Sequence, residues 1–284
     1  MRLTLLARWL PALLAVALAS PARADEWNRT YKVSDHPSMR IETNDGRVTV
    51  TPWDRPEIAI HVTTNGWHIG PHTTVDAEQN GSEVVLNVHR STNGLFIGWD
   101  SRWIHIEVSM PRKADLSVHT GDGGVNVESL EGLLRIWTGD GHIDVHALRG
   151  DINLHTGDGG IEARELDGRL VASSGDGRIS VNGRFDSLDL SSGDGTIEAE
   201  AQKGSAITSP WSVHTGDGGV TLRIPEDLKA DLEASTGDGH ISVELPVQVT
   251  GTWRPSRELR GTLNGGGPPL RLRSGDGSIR IEKL

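Results

Sequence analysis

Three sets of residues have types and spacings that could do chemistry. The first is a series of aspartates, Asp122, Asp140, Asp158, Asp176, Asp194, Asp217, Asp238 and Asp276, each flanked by glycines. Carboxylates in glycine-rich turns are how secreted β-rolls hold Ca²⁺. The second is histidine. His119, His155 and His214 open three copies of the phrase "HTGDGG", and His142 and His240 directly follow two other Gly-Asp-Gly triplets. Converging imidazoles can bind zinc at about 2.0–2.1 Å. The third is tryptophan: Trp67, Trp99 and Trp103 lie in "TNGWHIGPH" and "FIGWDSRWIHI", and indole faces can stack on sugar rings. No nucleophile–base pattern, metal-protease motif or phosphate loop is present, so the chain reads as non-enzymatic, with no cofactor.

The elements that must position these residues come from a repeat. Gly-Asp-Gly begins at Gly121, Gly139, Gly157, Gly175 and Gly193, a constant spacing of 18 residues, with further copies at Gly216, Gly237 and Gly275 and a divergent one at Asn44–Gly46. Each repeat holds two short segments of period two, the signature of strands with one buried face. Before the turn the inward set is Leu116/Val118, Leu134/Ile136, Ile152/Leu154, Leu170/Ala172 and Leu188/Leu190. After it the set is Val125/Val127, Ile143/Val145, Ile161/Ala163, Ile179/Val181 and Ile197/Ala199. Leu130, Leu148 and Leu166 mark a second corner. Strands this short bury their apolar face only by stacking on the same strand one repeat later. The expected fold is therefore all-β: a single-stranded parallel β-helix with an 18-residue coil, right-handed by the crossover rule. Roughly nine to eleven coils about 4.8 Å apart give a rod on the order of 50 Å long.

That architecture constrains the chemistry. Glycines at a tight arc suit positive φ, and aspartate between them suits an Asx-turn. Thr120, Thr138, Thr156, Ser174, Ser192, Thr215, Thr236 and Ser274 fall on the inward parity, where a hydroxyl can satisfy backbone groups. The eight aspartates are accordingly structural turn residues. Calcium on the resulting ladder is the alternative, disfavoured because only one turn per coil carries aspartate and Ca²⁺ takes six to eight oxygens. His119 and His155 lie two coils apart, about 9–10 Å, too far to share one zinc; these histidines read as ordinary surface residues. No metal is expected. Trp67, Trp99 and Trp103 remain as the candidate ligand-binding residues, the alternative being that they cap the first coils.

The N-terminus reads as an export signal over residues 1–24: a basic start at Arg2 and Arg8, an apolar run from Trp9 to Ala19, and Ala22-Arg23-Ala24 as cleavage site. Its removal takes Arg2, Arg8 and Arg23 and no acid, so the formal net charge moves from −11 to −14. So acidic a chain is a poor partner for nucleic acid, and no later stretch resembles a membrane span. With no cysteine, neither disulfides nor a cysteine-linked lipid anchor is available. The expected location is periplasmic or extracellular, and the expected organisation is one domain over 25–284. Irregular coils span 25–110, regular ones 111–245, and irregular ones 246–284. "MPRKADLSVHTGDG" is echoed by "IPEDLKADLEASTGDG", placing Pro111 and Pro225 at equivalent loops. A degraded or enlarged coil is expected between Gly239 and Gly275. "SIRIEKL" should end the rod in an open strand edge.

The segment "IETNDGRVTV", the lead-in "IEVSMPRKADLSV" and the serial "TGDGxI" coils resemble the bacterial putative-adhesin family of unknown function, over roughly Tyr31 to Leu284. The resemblance implies an exported or membrane-associated β-helical protein and carries no catalytic residues with it. The expected function is a non-enzymatic envelope or secreted scaffold whose elongated surface binds a glycan or protein. Two alternatives are end-to-end self-association into a structural scaffold and a polysaccharide-active β-helix enzyme.

Overall fold

The computed structural model describes residues 24–90, 103–249 and 257–284. Its 23 strands form one hydrogen-bonded sheet wound into stacked coils. One wall of each coil is the strand before the Gly-Asp-Gly turn, and the other is the strand after it. In the first wall Glu131–Thr138 lies between Asp115–Thr120 and Arg149–Thr156, all parallel, with Leu134 paired to Leu116 on one side and Ile152 on the other. In the second wall Ile143 pairs in parallel with Val125 and Ile161. Partners in the central coils stand 18 positions apart, Glu131 facing Arg149 and Ile143 facing Ile161. Every inward residue named from the alternation is buried, as are Leu130, Leu148 and Leu166. Among the described residues there is no helix.

The inward threonines and serines tie the coils together at the corner. Thr156 is fully buried; its Oγ1 donates to the Gly141 carbonyl of the coil below (2.9 Å) and accepts from Gly159 N (3.1 Å) in its own turn. Thr138, Ser174, Ser192, Thr236 and Ser274 repeat both bonds. A polar side chain in the core is tolerated because both of its hydrogen-bonding roles are filled. Where the repeat lengthens after Gly193, Phe185 and Trp211 fill the wider core edge to face, 6.4 Å apart.

The ends depart from a simple solenoid. In the first wall Ser38–Thr43 lies between Glu83–Arg90 and Asp115–Thr120, so the parallel strands Glu83–Arg90 and Trp103–Pro111 lie outside it although they come later in the chain. The other end mirrors this. Pro269–Ser274 lies between Trp211–Thr215 and Ala230–Thr236, and Ile279–Lys283 lies between Val220–Ile224 and Ile241–Val243. Pro111 and Pro225 are thus equivalent: after each, the chain steps over one coil before pairing again.

One expectation is corrected here. "SIRIEKL" is not an open edge, because its strand is paired on both sides. The stretch between Gly239 and Gly275, expected as a degraded or enlarged coil, keeps its wall strands Ile241–Val243 and Pro269–Ser274 and is enlarged between them. Its described part contributes Val247–Val249 and Glu258–Leu263, which pair antiparallel with each other and close the wall at Ala230–Thr236. Antiparallel strands also close the first end, where Glu57–Asn65 covers Trp103–Pro111 and Thr73–Asn80 covers Glu83–Arg90. Reversing strand direction lets a short hairpin cover an edge that a further parallel coil would leave open.

Candidate functional site

The corner comes first because it holds the aspartates. All eight are solvent-exposed, and their turns stack one above another. The expected Asx-turns are absent: it is the Asp140 main-chain N–H that bonds across the stack, to the Gly121 carbonyl (3.3 Å), and Asp158 repeats this with Gly139 (3.2 Å). The described end members of the ladder meet arginine, Asp45 with Arg90 (2.7 Å) and Asp238 with Arg257 (3.2 Å). Among the described residues no group of three or more His, Asp or Glu is placed to hold a metal ion. Carboxylates spaced by a whole coil cannot enclose one cation with the oxygens calcium requires.

The glycines are also explained differently than by positive φ. No triplet glycine has a left-handed φ; those conformations sit at the second corner, at Ser129 (52°), Ala147 (56°), Glu165 (55°), Gly150 (116°) and Gly168 (124°). What the triplets need is close approach. A Cβ on Gly123 would lie 2.7 Å from the Gly46 carbonyl carbon and from Thr120 Oγ1, and nearer still to the Gly46 oxygen. The neighbouring coil occupies the space where a side chain would begin.

The histidines form part of a ladder on the first wall. Trp137 is stacked on His119 (centroids 4.0 Å, planes 5° apart) and faces His155 on its other side (6.0 Å, 15°). His155 is held by Ser173 (2.7 Å). Trp137 is 38% exposed, but both indole faces are flanked by imidazoles, so only its edge is offered to a ligand.

The tryptophans named from the sequence separate. Trp99 lies outside the described residues. Trp67 is partly buried against the core, with its carbonyl accepting from Thr64 Oγ1 (2.6 Å) and the Arg90 guanidinium 5.5 Å from its ring; it plugs the first end. Its loop is clasped by Asp25, whose Oδ2 accepts from Ile69 N (3.1 Å) and meets His68 Nδ1 at 3.1 Å. The His68 hydrogen bond first, then that from Ile69, holds the Asp25 carboxyl below its ordinary value.

Trp103 is different. It is 45% exposed and stands at one end of a trough on the second wall, made of two adjoining hollows that share Arg47 and His105. One, of about 370 Å³, is bordered by Trp103 and Ile104. The other, of about 300 Å³, runs on past Thr49, Gly124 and Asn126 to His142 and Asp144. The parallel walls create it. Arg47 pairs with His105 in the register of the first two coils, and Gly124 and His142 follow at the same level in the next two. Thr49 Oγ1 lies 3.1 Å from His105 Nε2 and orients its ring. Asp144 is engaged by Arg164 (3.0 and 3.4 Å).

The Toastrack DUF4097 family model matches residues 36–282. The chain belongs to that family. The adhesin-like resemblance read from the coils thus falls within Toastrack DUF4097. A structure from Parabacteroides distasonis named a putative lipid binding protein shares the Toastrack fold at TM-score 0.53 and 15% identity, covering 90% of this chain and 96% of that one. A putative adhesin from Bacteroides fragilis aligns at TM-score 0.45 and 13% identity over 92% and 97%. A putative cell adhesion protein from Clostridium sporogenes aligns at 0.36 and 10% over 92% and 100%. No curated protein matches the chain.

Of the trough, sequence reasoning named Trp103 and placed His142 on the surface, but it missed Arg47, His105 and Gly124. One signal was available. The last glycine of "HTGDGG" follows the triplet and lies outside the corner, at a position where other coils carry His142, Arg178, Thr196, Ser278 and His240.

Proposed function

We propose that this protein is an exported, non-enzymatic β-solenoid that binds a glycan or protein along its elongated surface, with the Trp103 trough as its principal contact. The finer geometry belongs to this reading: a right-handed parallel β-helix of 18-residue coils, released to the periplasm or beyond once residues 1–24 are removed. One observation carries it. An exposed indole borders a polar trough with Arg47 and His105 on paired strands and His142 just before a third, whereas the described Trp27, Trp53, Trp67 and Trp211 are packed into the fold. A large side chain left in water beside convergent polar groups is the usual anatomy of a binding site.

The capped ends weigh against self-association. The outer strands Asp25–Lys32 and Thr73–Asn80 carry charged residues, and Ile241–Val243 and Val247–Val249 are three residues each. Short or charged edges are the ways soluble sheets avoid adding another chain.

The test is a glycan array probed with the mature protein and with its Trp103→Ala and Trp99→Ala variants. Binding lost with Trp103→Ala is the expected result. Binding that survives both substitutions removes the trough as the contact.

A further inference from the structure

The trough has an unusual charge for this chain. The sequence is acidic, with a formal net charge of −11, and wall arginines are commonly neutralised: Arg149 by Asp167 (3.0 Å), Arg223 by Glu282 (3.0 Å), Arg271 by Glu233 (3.3 Å). Arg47 has no ion pair among the described residues. Among the described residues the single carboxylate lining the second hollow is Asp144, which is bound to Arg164, itself shared with Glu162. Among those residues the trough lining thus holds an unpaired Arg47 guanidinium and two imidazoles.

Its floor is also bare without any steric need. A Cβ on Gly124 would come no closer than 3.5 Å to its nearest neighbour, the His142 carbonyl, which is ordinary contact, and Gly124 has no left-handed φ. The triplet glycines are imposed by stacking; this one is not. The His142 ring lies over Gly160, where an added Cβ would meet Nδ1 at 3.0 Å, so it leans away from Gly124 and leaves the floor open.

We propose that the trough is a receptor for the carboxylate of an acidic sugar. Arg47 supplies the paired N–H donors that match a carboxylate, His105 in the adjoining coil supplies a further donor, and the pyranose ring lies against Trp103. This rests on the trough being the glycan contact, as argued above, and adds the class of glycan.

The experiment is calorimetric titration of the mature protein with oligogalacturonate, its methyl ester and polyglutamate. Oligogalacturonate should bind, and the ester should bind about tenfold more weakly or worse, the effect of losing a charge-assisted hydrogen bond. Arg47→Gln should bring the acid down to the level of the ester. Gly124→Leu should block both sugars, while Gly219→Leu, which adds the same bulk at the same level of a distant coil where a Cβ also has 3.5 Å of clearance, should change nothing. Should Gly124→Leu fail to fold, the exposed Arg47→Gln decides alone.

Equal affinity for acid and ester, both lost with Trp103→Ala, overturns the carboxylate receptor and leaves the glycan contact standing. Polyglutamate binding as well as oligogalacturonate, with Trp103→Ala without effect, makes the occupant an acidic peptide and overturns the sugar. No binding of any probe overturns both.

Discussion

Two adjacent glycines in one turn should respond to the same substitution in opposite directions. Gly123→Ala places a methyl 2.7 Å from the Gly46 carbonyl carbon and Thr120 Oγ1, where van der Waals contact requires about 3.5 Å or more. The two coils must separate locally by roughly 1 Å. The bonds at risk are Gly121 N to Thr43 O (3.2 Å), Asp122 N to Asn44 O (3.1 Å) and Val48 N to Gly124 O (2.9 Å). Weakening two of these at about 1 kcal/mol each, with an overpacking penalty of about 1–3 kcal/mol, gives a loss of about 3–5 kcal/mol. Gly124→Ala meets nothing closer than 3.5 Å and reduces the freedom of the unfolded chain, a gain of about 0.4–1 kcal/mol. Thermal unfolding followed by far-UV circular dichroism separates the two, since a chain of this size shifts by about 2–4 °C per kcal/mol. Gly123→Ala should fall by about 6–20 °C, and Gly124→Ala should hold or rise. Equal midpoints for Gly123→Ala and wild type would refute the claim that coil stacking imposes these glycines.

Further outcomes follow from the same contacts. Thr156→Val keeps shape but orphans the Gly141 carbonyl and Gly159 N–H; it should lower stability by about 1–3 kcal/mol, while Thr156→Ser, the residue used at Ser174 and Ser192, should retain most of it in chemical denaturation. Deleting residues 269–284 removes a coil from between two others, so protection from hydrogen exchange should vanish over 230–243 as well; in a solenoid stacked in chain order it would stay. The Asp25 clasp depends on a carboxyl whose folded value is lowered by His68 and then Ile69. Its contribution is fully present above the unfolded value and is lost as pH falls through the folded one, so the exchange protection of amides in the loop at 66–72, corrected for the intrinsic pH dependence of exchange, should fall on acidification. Asp25→Asn should show the lower protection already at neutral pH and lose the pH dependence of that protection.

Asp25 also marks where sequence reasoning ends, because nothing in "ADEWNRT" announces a partner in a loop more than forty residues later.

The coil itself was legible. Alternation is a local property, and one buried face per strand is enough to assign Leu134 and Ile136 inward and Trp137 outward. The inward Thr or Ser before each turn follows from the same parity. What parity cannot encode is which coil stacks on which. The strand holding Ile279 has the same pattern whether it ends the rod or lies between Val220 and Ile241, and the choice is made by long-range pairing and by which strands cap the edges. The reason for the triplet glycines was likewise invisible, since close approach depends on a neighbouring coil and not on local φ. The trough was hidden for the same reason. Arg47, His105, Gly124 and His142 come from four coils, and in the sequence only Arg47, Gly124 and His142 share a place, directly after a turn triplet. By itself the sequence determined the coil, its core and its polar seam. The tertiary structure alone decided the stacking order at the two ends, and with it the meeting of Arg47 and His105 beside Trp103, because a repeat specifies contacts within a coil and leaves the choice of neighbour to packing between coils.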